Sequence, residues 1–492
     1  MTYDQFSCQI THFFEFEPTL SQKKVIEGLS HFVTLSPPHS IYILRGYAGT
    51  GKSTLIGALV RALYSAGLHF RLLAPTGRAA KVLQSYCGFP AHTIHRTIYR
   101  QRITSDGDAS FDIGYNTSRK GTFYIIDEAS MISNSSEGYT PFGTGRLLDD
   151  LMEYCLGIEG SHILFVGDDA QLPPVGTELS PAMDPVCLQG YGVQVSTGTL
   201  TDIVRQESAG EIVSLSHILR HHLHNADIDD GSFPTPILPL PSTTEVTLVS
   251  PYDLTSLVEQ SYRRVGKDET LIITRSNREA EQLNREIRFR SLDYDGVIVN
   301  GEELMVCRNN YLHLPLDEED KPTTNFIANG ELLHVEHAGA EHELYGFHFR
   351  EAELRDSAGG IFTALLLLES LYSGVASLTS EQRQALYEGV VADYPGIRSR
   401  KALFEQIRKD PHLNALQVKY AYAMTCHKSQ GGQWKEVYIS FGYLTQEMID
   451  RSFFRWLYTA MTRATERLYI IAPPEFLFGD YQGWRGLEPL SH

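Results

Sequence analysis

The chain has 492 residues, of which 42% are hydrophobic and 21% are charged, and its formal net charge is -18. This length calls for several domains, and the composition is that of a globular protein rather than a disordered or membrane-spanning one. The negative charge argues against a nonspecific nucleic-acid coat protein, which needs an excess of Lys and Arg, but it is compatible with a narrow binding channel.

A phosphate-binding loop is the first strong signal along the chain, after a predicted helix from Ser21 to Phe32. Residues 46–53 fit the pattern GxxxxGK[ST], with a predicted strand before them and a predicted helix after them. Glycines let backbone N–H groups point at phosphate oxygens, Lys52 can neutralise the β- and γ-phosphates, and the Ser53 hydroxyl can bind magnesium. The residues predicted to hold ATP and Mg²⁺ here are Gly46, Ala48, Gly49, Thr50, Gly51, Lys52, Ser53 and Thr54.

Short apolar runs that alternate with helices predict a doubly wound α/β lobe with a parallel sheet. The strands are predicted at 70–76, 122–126 and 162–166, and a helix is predicted over 77–84. Residues 100–120 interrupt this pattern with the turn signal SDGD, which favours a small inserted hairpin. Phe111 is a candidate tip residue that splits a base pair, with local packing of its ring as the alternative.

Two carboxylates follow the strand that ends at Ile126. Ligands of open α/β sheets bind at the carboxyl ends of strands, so Asp127 is suited to holding magnesium and Glu128 to activating the attacking water. Gln171 follows the next predicted strand, where an amide can report on the γ-phosphate. An acidic loop end and an exposed glutamine are the plain alternatives.

The second half of the chain begins with a proline-rich segment and returns to α/β pattern at a strand over 270–274 and a helix over 278–290. Residues 300–414 have the character of an insertion, strand-rich at first and helical over 380–409. Segments 418–424 and 467–471 are then predicted to complete the second sheet. The predicted domains are 1–230, with the hairpin at 100–120, then 231–299, the insertion 300–415, and 416–492.

Taken in order, these segments resemble the superfamily-one helicases. PTGRAA at 75–80, TIHRT at 93–97, LTDIVRQ at 200–206, YAMTCHKSQG at 422–431 and YTAMTRA at 458–464 are similar to the family's successive motifs. The sequence HKSQG, the short hairpin, and ANGE at 328–331 within the insertion favour the RecD-like and Dda-like branch.

The resemblance implies two RecA-like lobes, an SH3-like insertion with a helical extension in the second lobe, and specific residue roles. Gln22 would contact adenine, and Arg205 and Arg463 would stabilise charge on the γ-phosphate. Val204 stands where relatives of another branch place a tyrosine. The residues that would contact a nucleic-acid strand are Pro75, Thr76, Arg78, Thr93, His95, Phe111, Thr425, His427 and Lys428.

The implied function is that of an ATP-dependent DNA helicase that moves 5′-to-3′ on single-stranded DNA and opens a forked duplex. One alternative is a nucleic-acid-stimulated ATPase that remodels protein–DNA or RNA–DNA complexes without processive unwinding. Another is a P-loop switch protein that binds a protein partner. We expect a cytoplasmic monomer with ATP and Mg²⁺ as its ligands, no association with membranes, and acidic surface available to protein partners.

Overall fold

The computed structural model describes residues 2–103, 109–135, 142–202, 210–225, 238–310, 312–315, 327–356, 359–373, 377–397, 399–407 and 409–479. These residues fall into two compact units, 2–103 with 109–202 and 210–479. Within these ranges, no helix combines the length and the apolar character that crossing a bilayer requires.

The first unit is built on a six-stranded parallel sheet with the strand order β3-β2-β6-β7-β1-β8. Its strands are β1 (Ile41–Gly46), β2 (Phe70–Ala74), β3 (Ala91–Thr93), β4 (Tyr99–Ile103), β5 (Ala109–Ile113), β6 (Phe123–Ile126), β7 (His162–Gly167) and β8 (Val195–Leu200). Its helices are α1 (Tyr3–Phe13), α2 (Leu20–Thr34), α3 (Lys52–Ser65), α4 (Gly77–Cys87), α5 (Ile94–Ile98), α6 (Leu147–Leu156) and α7 (Pro185–Gln189).

Burial explains why the central strands of this sheet are apolar. Strands β6 and β7 are buried along almost their whole length, as expected for parallel strands that helices cover on both faces. Because all six strands run in the same direction, the loops after β1, β6 and β7 emerge at one edge of the sheet. The doubly wound lobe predicted from the sequence is confirmed.

The predicted hairpin is present as the antiparallel pair β4 and β5, but its aromatic residue has another role. Phe111 lies within β5 and is only 1% exposed, with its ring centroid 4.9 Å from that of Phe142. The prediction of Phe111 as an exposed tip residue is therefore wrong, because the ring is used to pack the base of the hairpin. The tip itself, 104–108, lies outside the described residues.

The second unit contains a five-stranded parallel sheet with the order β16-β10-β17-β18-β9. The strands of the unit are β9 (Val246–Val249), β10 (Thr270–Thr274), β11 (Glu303–Val306), β12 (Leu332–Leu344), β13 (Phe347–Asp356), β14 (Ile361–Leu367), β15 (Leu416–Tyr420), β16 (Ala423–Thr425), β17 (Trp434–Ser440) and β18 (Ala464–Ile471). Its helices are α8 (Glu211–Asn225), α9 (Leu254–Val265), α10 (Asn277–Arg290), α11 (Ser380–Ala392), α12 (Arg400–Ile407), α13 (Cys426–Ser429) and α14 (Arg451–Met461).

Strands β11 to β15 of the insertion form a closed barrel, and its assignment as an SH3-like module stays what the resemblance implies. Leu386 and Val390 of α11 pack with Phe349 and Leu367 on the outer side of the barrel, which anchors the helical extension. One boundary differs from the prediction. The segment 418–424 does not enter the second sheet as a whole, because β15 pairs with β11 and closes the barrel, and only β16 joins the sheet.

The boundary between the two units also differs from the predicted position at residue 230. Helix α8 packs against α14 in the second unit, where Arg451 Nη2 donates to the Leu223 carbonyl oxygen at 3.1 Å and the ring centroids of His222 and Phe454 are 5.7 Å apart. The amphipathic pattern of α8 indicates a helix but does not say which sheet it covers. Contacts with α14 decide the assignment.

Candidate nucleotide and strand-binding sites

The phosphate loop connects β1 to α3 at the carboxyl edge of the first sheet. Gly49 and Gly51 have φ of 79° and 83°, in the left-handed region that glycine adopts without strain. A Cβ atom at Gly46 would lie 2.7 Å from Lys52 Cγ, so only glycine lets the loop wrap this closely around the lysine. Lys52 Nζ donates to the Gly46 carbonyl oxygen. This cradle of backbone around one cation fits a chain of phosphates.

Gln22 is hydrogen-bonded to the phosphate loop and to the start of α2. Its side chain is fully buried, its Oε1 accepts from the Thr19 N–H at 2.9 Å, and its Nε2 donates to the Thr50 carbonyl oxygen at 3.0 Å. The Thr50 hydroxyl in turn donates to the Tyr47 carbonyl oxygen at 2.8 Å. Both ends of the Gln22 amide are therefore used to hold the start of α2 and the phosphate loop together, and its contact with adenine stays a prediction.

Asp127 and Glu128 follow β6 at the same edge of the sheet. Asp127 Oδ1 accepts from the Glu128 N–H at 2.9 Å, and Asp127 Oδ2 accepts a hydrogen bond from the Tyr86 hydroxyl. Glu128 has φ of 52°, a left-handed conformation that costs roughly 1–3 kcal/mol in a residue other than glycine and is concentrated at functional sites. The strain supports a functional role for Glu128.

Asp168 and Gln171 follow β7, the strand next to β1. The Asp168 side chain is buried, its Oδ1 accepts from the Ala170 N–H at 3.0 Å, and its Oδ2 lies 3.9 Å from Lys52 Nζ. Gln171 is only 5% exposed, and its Oε1 is buried without a hydrogen-bond partner. Burying an unpaired acceptor is costly, so the Gln171 amide is suited to a polar partner at this site. Its contact with the γ-phosphate stays a prediction.

A carboxylate set and a hydroxyl suited to magnesium therefore lie around a loop suited to phosphate. Ser53 is exposed at the start of α3, where its hydroxyl can bind the cation, and Thr54 is half-buried one residue further on. Oxygen donors of this kind are those that Mg²⁺ prefers. The residues present thus fit a magnesium nucleotide.

The predicted strand contacts of the first unit lie at the other half of the same sheet edge. Thr76 caps α4 by accepting from the Ala79 N–H at 3.2 Å, and Thr93 caps α5 by accepting from the Arg96 N–H at 3.2 Å. These residues follow β2 and β3, which are neighbours in the sheet. Pro75, Thr76 and Arg78 are half-buried, so they remain accessible at this edge.

His95 lies in the same region and is predicted to contact the strand. Its ring packs against Phe142, with centroids 5.1 Å apart, and against Tyr99 at 5.6 Å. Burial lowers the pKa of His95 to about 4. The imidazole is therefore neutral at neutral pH, and it can contact a strand through a hydrogen bond or its ring but not through an ion pair.

The lowered pKa of His95 predicts a pH dependence of stability. The pKa of a histidine in an unfolded chain is about 6.5. Between about pH 6.5 and pH 4, His95 is therefore protonated in the unfolded chain but neutral in the folded one. We expect the free energy of unfolding to fall as the pH drops through this window, by at most about 1.4 kcal/mol per pH unit for this residue. His95→Asn should flatten the slope in urea titrations at a series of pH values.

His162 provides a second, independent variant for that measurement. Burial lowers the pKa of His162 to about 4 as well, and its ring is stacked on Phe123 with centroids 4.8 Å apart. His162→Asn should flatten the same slope further when it is combined with His95→Asn. Equal slopes in the parent and in both variants would contradict the assignment.

Arg463 is held rigidly within the second unit. Its side chain is 4% exposed, with Nε donating to the Thr459 carbonyl oxygen at 3.1 Å and Nη1 donating to the Gly432 carbonyl oxygen at 3.1 Å. These contacts fix the direction of the guanidinium group before any ligand binds. Its predicted partner Arg205, and Val204 beside it, lie outside the described residues.

The last predicted strand contacts surround the end of β16. Thr425 is buried at the end of this strand, His427 is exposed, and Lys428 is half-buried. Thr425 and Lys428 line a narrow cavity together with Lys419 and Asn277. Burial lowers the pKa of Lys419. Neither Lys419 nor Asn277 is part of the motif at 422–431, so only the fold reveals them as neighbours of the predicted contacts.

Two family models and two curated helicases are similar to parts of this chain. Residues 22–230 match the AAA domain family, and residues 420–471 match the UvrD-like helicase C-terminal domain family. Over 206 residues the chain is 30% identical to the ATP-dependent RecD2 DNA helicase of Deinococcus radiodurans, and over 154 residues it is 30% identical to the ATP-dependent DNA helicase dda of Enterobacteria phage T4. These matches support a superfamily-one helicase of the RecD-like and Dda-like group.

The matches cover this chain and its relatives to different extents. The RecD2 match covers 42% of this chain and 25% of RecD2, and the dda match covers 31% of this chain and 30% of dda. An uncharacterized protein of Acanthamoeba polyphaga mimivirus, R530, is 22% identical over 87% of this chain and 95% of its own length. The crystal structure of a Bacteroides Pif1 helicase with ADP-AlF3 and single-stranded DNA aligns over 94% of both chains, with 15% identity and a TM-score of 0.46.

No local sequence pattern assigns a role to two residues of this site, Asp168 and Tyr86. Asp168 lies two residues after the predicted strand 162–166, so the rule for parallel sheets is enough to place it at the same edge as Lys52. Tyr86 lies within α4, and no local pattern distinguishes it from any other helix residue. Its contact with Asp127 depends on how α4 packs on the sheet.

Proposed function

We propose that this chain is an ATP-hydrolysing DNA helicase that translocates 5′-to-3′ on single-stranded DNA and separates a forked duplex. In this proposal the phosphate loop and Lys52 bind the nucleotide, Asp127 and Ser53 hold Mg²⁺, and Glu128 activates the attacking water. The Mg²⁺ held by Asp127 and Ser53 would offset the negative charge of the phosphates. Arg463 and Arg205 stabilise the charge that develops on the γ-phosphoryl group.

The arrangement at one edge of the first sheet is the observation that carries this proposal. The loops after β1, β6 and β7 bear the residues suited to a nucleotide, and the loops after β2 and β3 bear those suited to a strand. A P-loop switch that binds only a protein partner has no need of this second group. The sheet edge therefore favours an ATPase that responds to nucleic acid.

Translocation along the DNA strand would require the strand contacts of the two units to tighten and loosen alternately during each cycle of ATP binding and hydrolysis. Thr76 and Thr93 offer hydroxyls and nearby backbone N–H groups, and Thr425 and Lys428 offer a second set in the other unit. Contacts of this type position the sugar-phosphate backbone without reading the bases. We therefore propose little sequence preference.

Duplexes with a single-stranded tail on one side test both unwinding and direction. We expect strand separation that requires ATP and occurs with a 5′ tail but not with a 3′ tail. Separation of the 3′-tailed duplex alone would overturn the polarity. ATP turnover that single-stranded DNA stimulates, without separation of either duplex, would favour the remodelling ATPase, and turnover indifferent to DNA would favour the switch protein.

A further inference from the structure

Helix α4 connects the two halves of the sheet edge described above. It begins at Gly77, directly after its N-cap Thr76, which is one of the proposed strand contacts, and it ends at Cys87. In its last turn, the Tyr86 hydroxyl donates a hydrogen bond to Asp127 Oδ2. One rigid element thus touches the proposed strand site with its first residues and the proposed nucleotide site with its last.

The hydrogen bond from Tyr86 controls the orientation of a carboxylate. Asp127 Oδ1 accepts from the Glu128 N–H at 2.9 Å, and Asp127 Oδ2 accepts from Tyr86, so both oxygens are held. Two such bonds fix the rotation of the carboxylate about its Cβ–Cγ bond. Each oxygen accepts up to about two hydrogen bonds or ligands, so one position on each remains for a hydrated cation. Tyr86 therefore helps to decide where those positions point.

Close packing against α3 determines where Tyr86 lies. A Cβ atom at Gly57 of α3 would be 2.9 Å from the Tyr86 carbonyl oxygen, and Arg61 Nη2 donates to that oxygen at 3.4 Å. Helix α3 starts at Lys52, directly after the phosphate loop. The Tyr86 hydroxyl is the donor in its hydrogen bond with Asp127, because an ionised carboxylate can only accept.

We propose that Tyr86 is a positioning residue that couples strand binding at the start of α4 to the orientation of the Asp127 carboxylate. This inference rests on the proposed function, because it requires Thr76 or Arg78 to contact a strand. A strand that shifts α4 by a few tenths of an ångström changes the length and angle of the Tyr86–Asp127 hydrogen bond. Hydrogen bonds weaken steeply with such changes, so the shift of α4 alters how firmly the Asp127 carboxylate is oriented at the nucleotide site.

The coupling has a measurable form because linkage is reciprocal. If single-stranded DNA strengthens the binding of a magnesium nucleotide by some factor, the nucleotide strengthens the binding of DNA by the same factor. We expect this factor to be about tenfold in the parent protein, within the usual range for coupled sites. Removing the Tyr86 hydroxyl should reduce this coupling factor nearly to 1, which means no coupling.

Tyr86→Phe tests the proposal, with Tyr64→Phe as the matched control on α3, where the tyrosine is 66% exposed. A fluorescent non-hydrolysable ATP analogue is titrated with and without Mg²⁺, and with and without a saturating oligo-dT strand. Tyr86→Phe should lose most of the gain in affinity that Mg²⁺ and the strand each confer. Its affinity without Mg²⁺, and its affinity for the strand alone, should match those of the parent and of Tyr64→Phe.

The combination with Asp127→Asn separates positioning from a general loss of packing. If Tyr86 acts through the Asp127 carboxylate, Tyr86→Phe should change nothing further in the Asp127→Asn background. Additive losses, or an equal loss without Mg²⁺, would overturn the proposal, as would a Tyr86→Phe protein whose gains lie within twofold of those of the parent.

A second variant keeps the hydroxyl but moves it. Gly57→Ala places a methyl group against the Tyr86 carbonyl oxygen and should reduce both gains as Tyr86→Phe does, which covers the case in which Tyr86→Phe does not fold. If the nucleotide affinity of the parent protein is the same with and without the strand, the proposed coupling is wrong. Strand-stimulated turnover and unwinding by that parent would still support the proposed function, so the two failures are distinguishable.

Discussion

Lys52→Ala is expected to abolish ATP turnover while single-stranded DNA binding remains measurable. Lys52 Nζ lies inside the phosphate loop, bonded to the Gly46 carbonyl oxygen and 3.9 Å from Asp168 Oδ2, and the proposed function requires it to neutralise the phosphates. Loss of one positioned charge at a developing anion costs about 10²–10³-fold in kcat. Steady-state phosphate release with saturating oligo-dT measures the loss.

Lys120→Ala is the matched control for that variant. Lys120 is 70% exposed, pairs with Glu159, and precedes β6 at the opposite edge of the sheet. Exposed pairs of this kind contribute about 0–1 kcal/mol to stability, so turnover should be unchanged. Lys52→Ala also leaves the buried Asp168 carboxylate without its nearby cation, so thermal unfolding should be recorded for both variants. Turnover by a folded Lys52→Ala protein within tenfold of the parent would contradict the assignment.

Arg463→Ala is expected to lower kcat by about 10³-fold or more, the range for an arginine that stabilises phosphoryl-transfer charge. The nucleotide should still bind, because the phosphate loop is in the other unit and is unchanged. Single-turnover hydrolysis and equilibrium binding of the fluorescent analogue separate these two effects. A loss of binding equal to the loss of turnover would contradict a role in the transition state.

Folding must be controlled in this variant, because Arg463 donates to the Thr459 and Gly432 carbonyl oxygens. Arg463→Lys keeps the charge but cannot reproduce both hydrogen bonds, so it should recover some stability and little turnover. Arg290→Ala removes an arginine that is 64% exposed on α10 and should change neither property. A fall in kcat that merely follows the fall in the unfolding midpoint across these variants would assign Arg463 a structural role.

The loop motifs were predictable because their chemistry is local. The phosphate loop needs glycines, a lysine and a hydroxyl at fixed spacing, and Asp127 and Glu128 need only a buried strand before them. The parallel order of the first sheet then brings Gly46, Asp127 and Asp168 to one edge, as the rule for open α/β sheets anticipates. The hairpin was predictable for a similar reason, since a turn signal marks it. The closed barrel was expected only from the resemblance to the superfamily-one helicases, because the residue pattern indicates strands and helices but not how they pair.

The failures have a common physical cause. The turn signal before Phe111 predicts a residue at the hairpin tip, yet the ring of Phe142, 31 positions along the chain, packs against it. The strand-like pattern of 418–424 predicts a single strand of the second sheet, although β15 pairs with the barrel and β16 with the sheet. A run of apolar residues indicates that a segment is buried, but it does not indicate which strand or helix packs against that segment.

The sequence by itself determined the elements whose function depends on backbone conformation and near neighbours: the phosphate loop, the acidic strand ends and the order of the family motifs. Only the tertiary structure decided that Gln22 is used to hold Thr50, that Arg463 is fixed by Gly432, and that Tyr86 orients Asp127. Each of these contacts joins residues at least 28 positions apart. Such contacts depend on how helices and strands pack, which no local pattern of residues encodes.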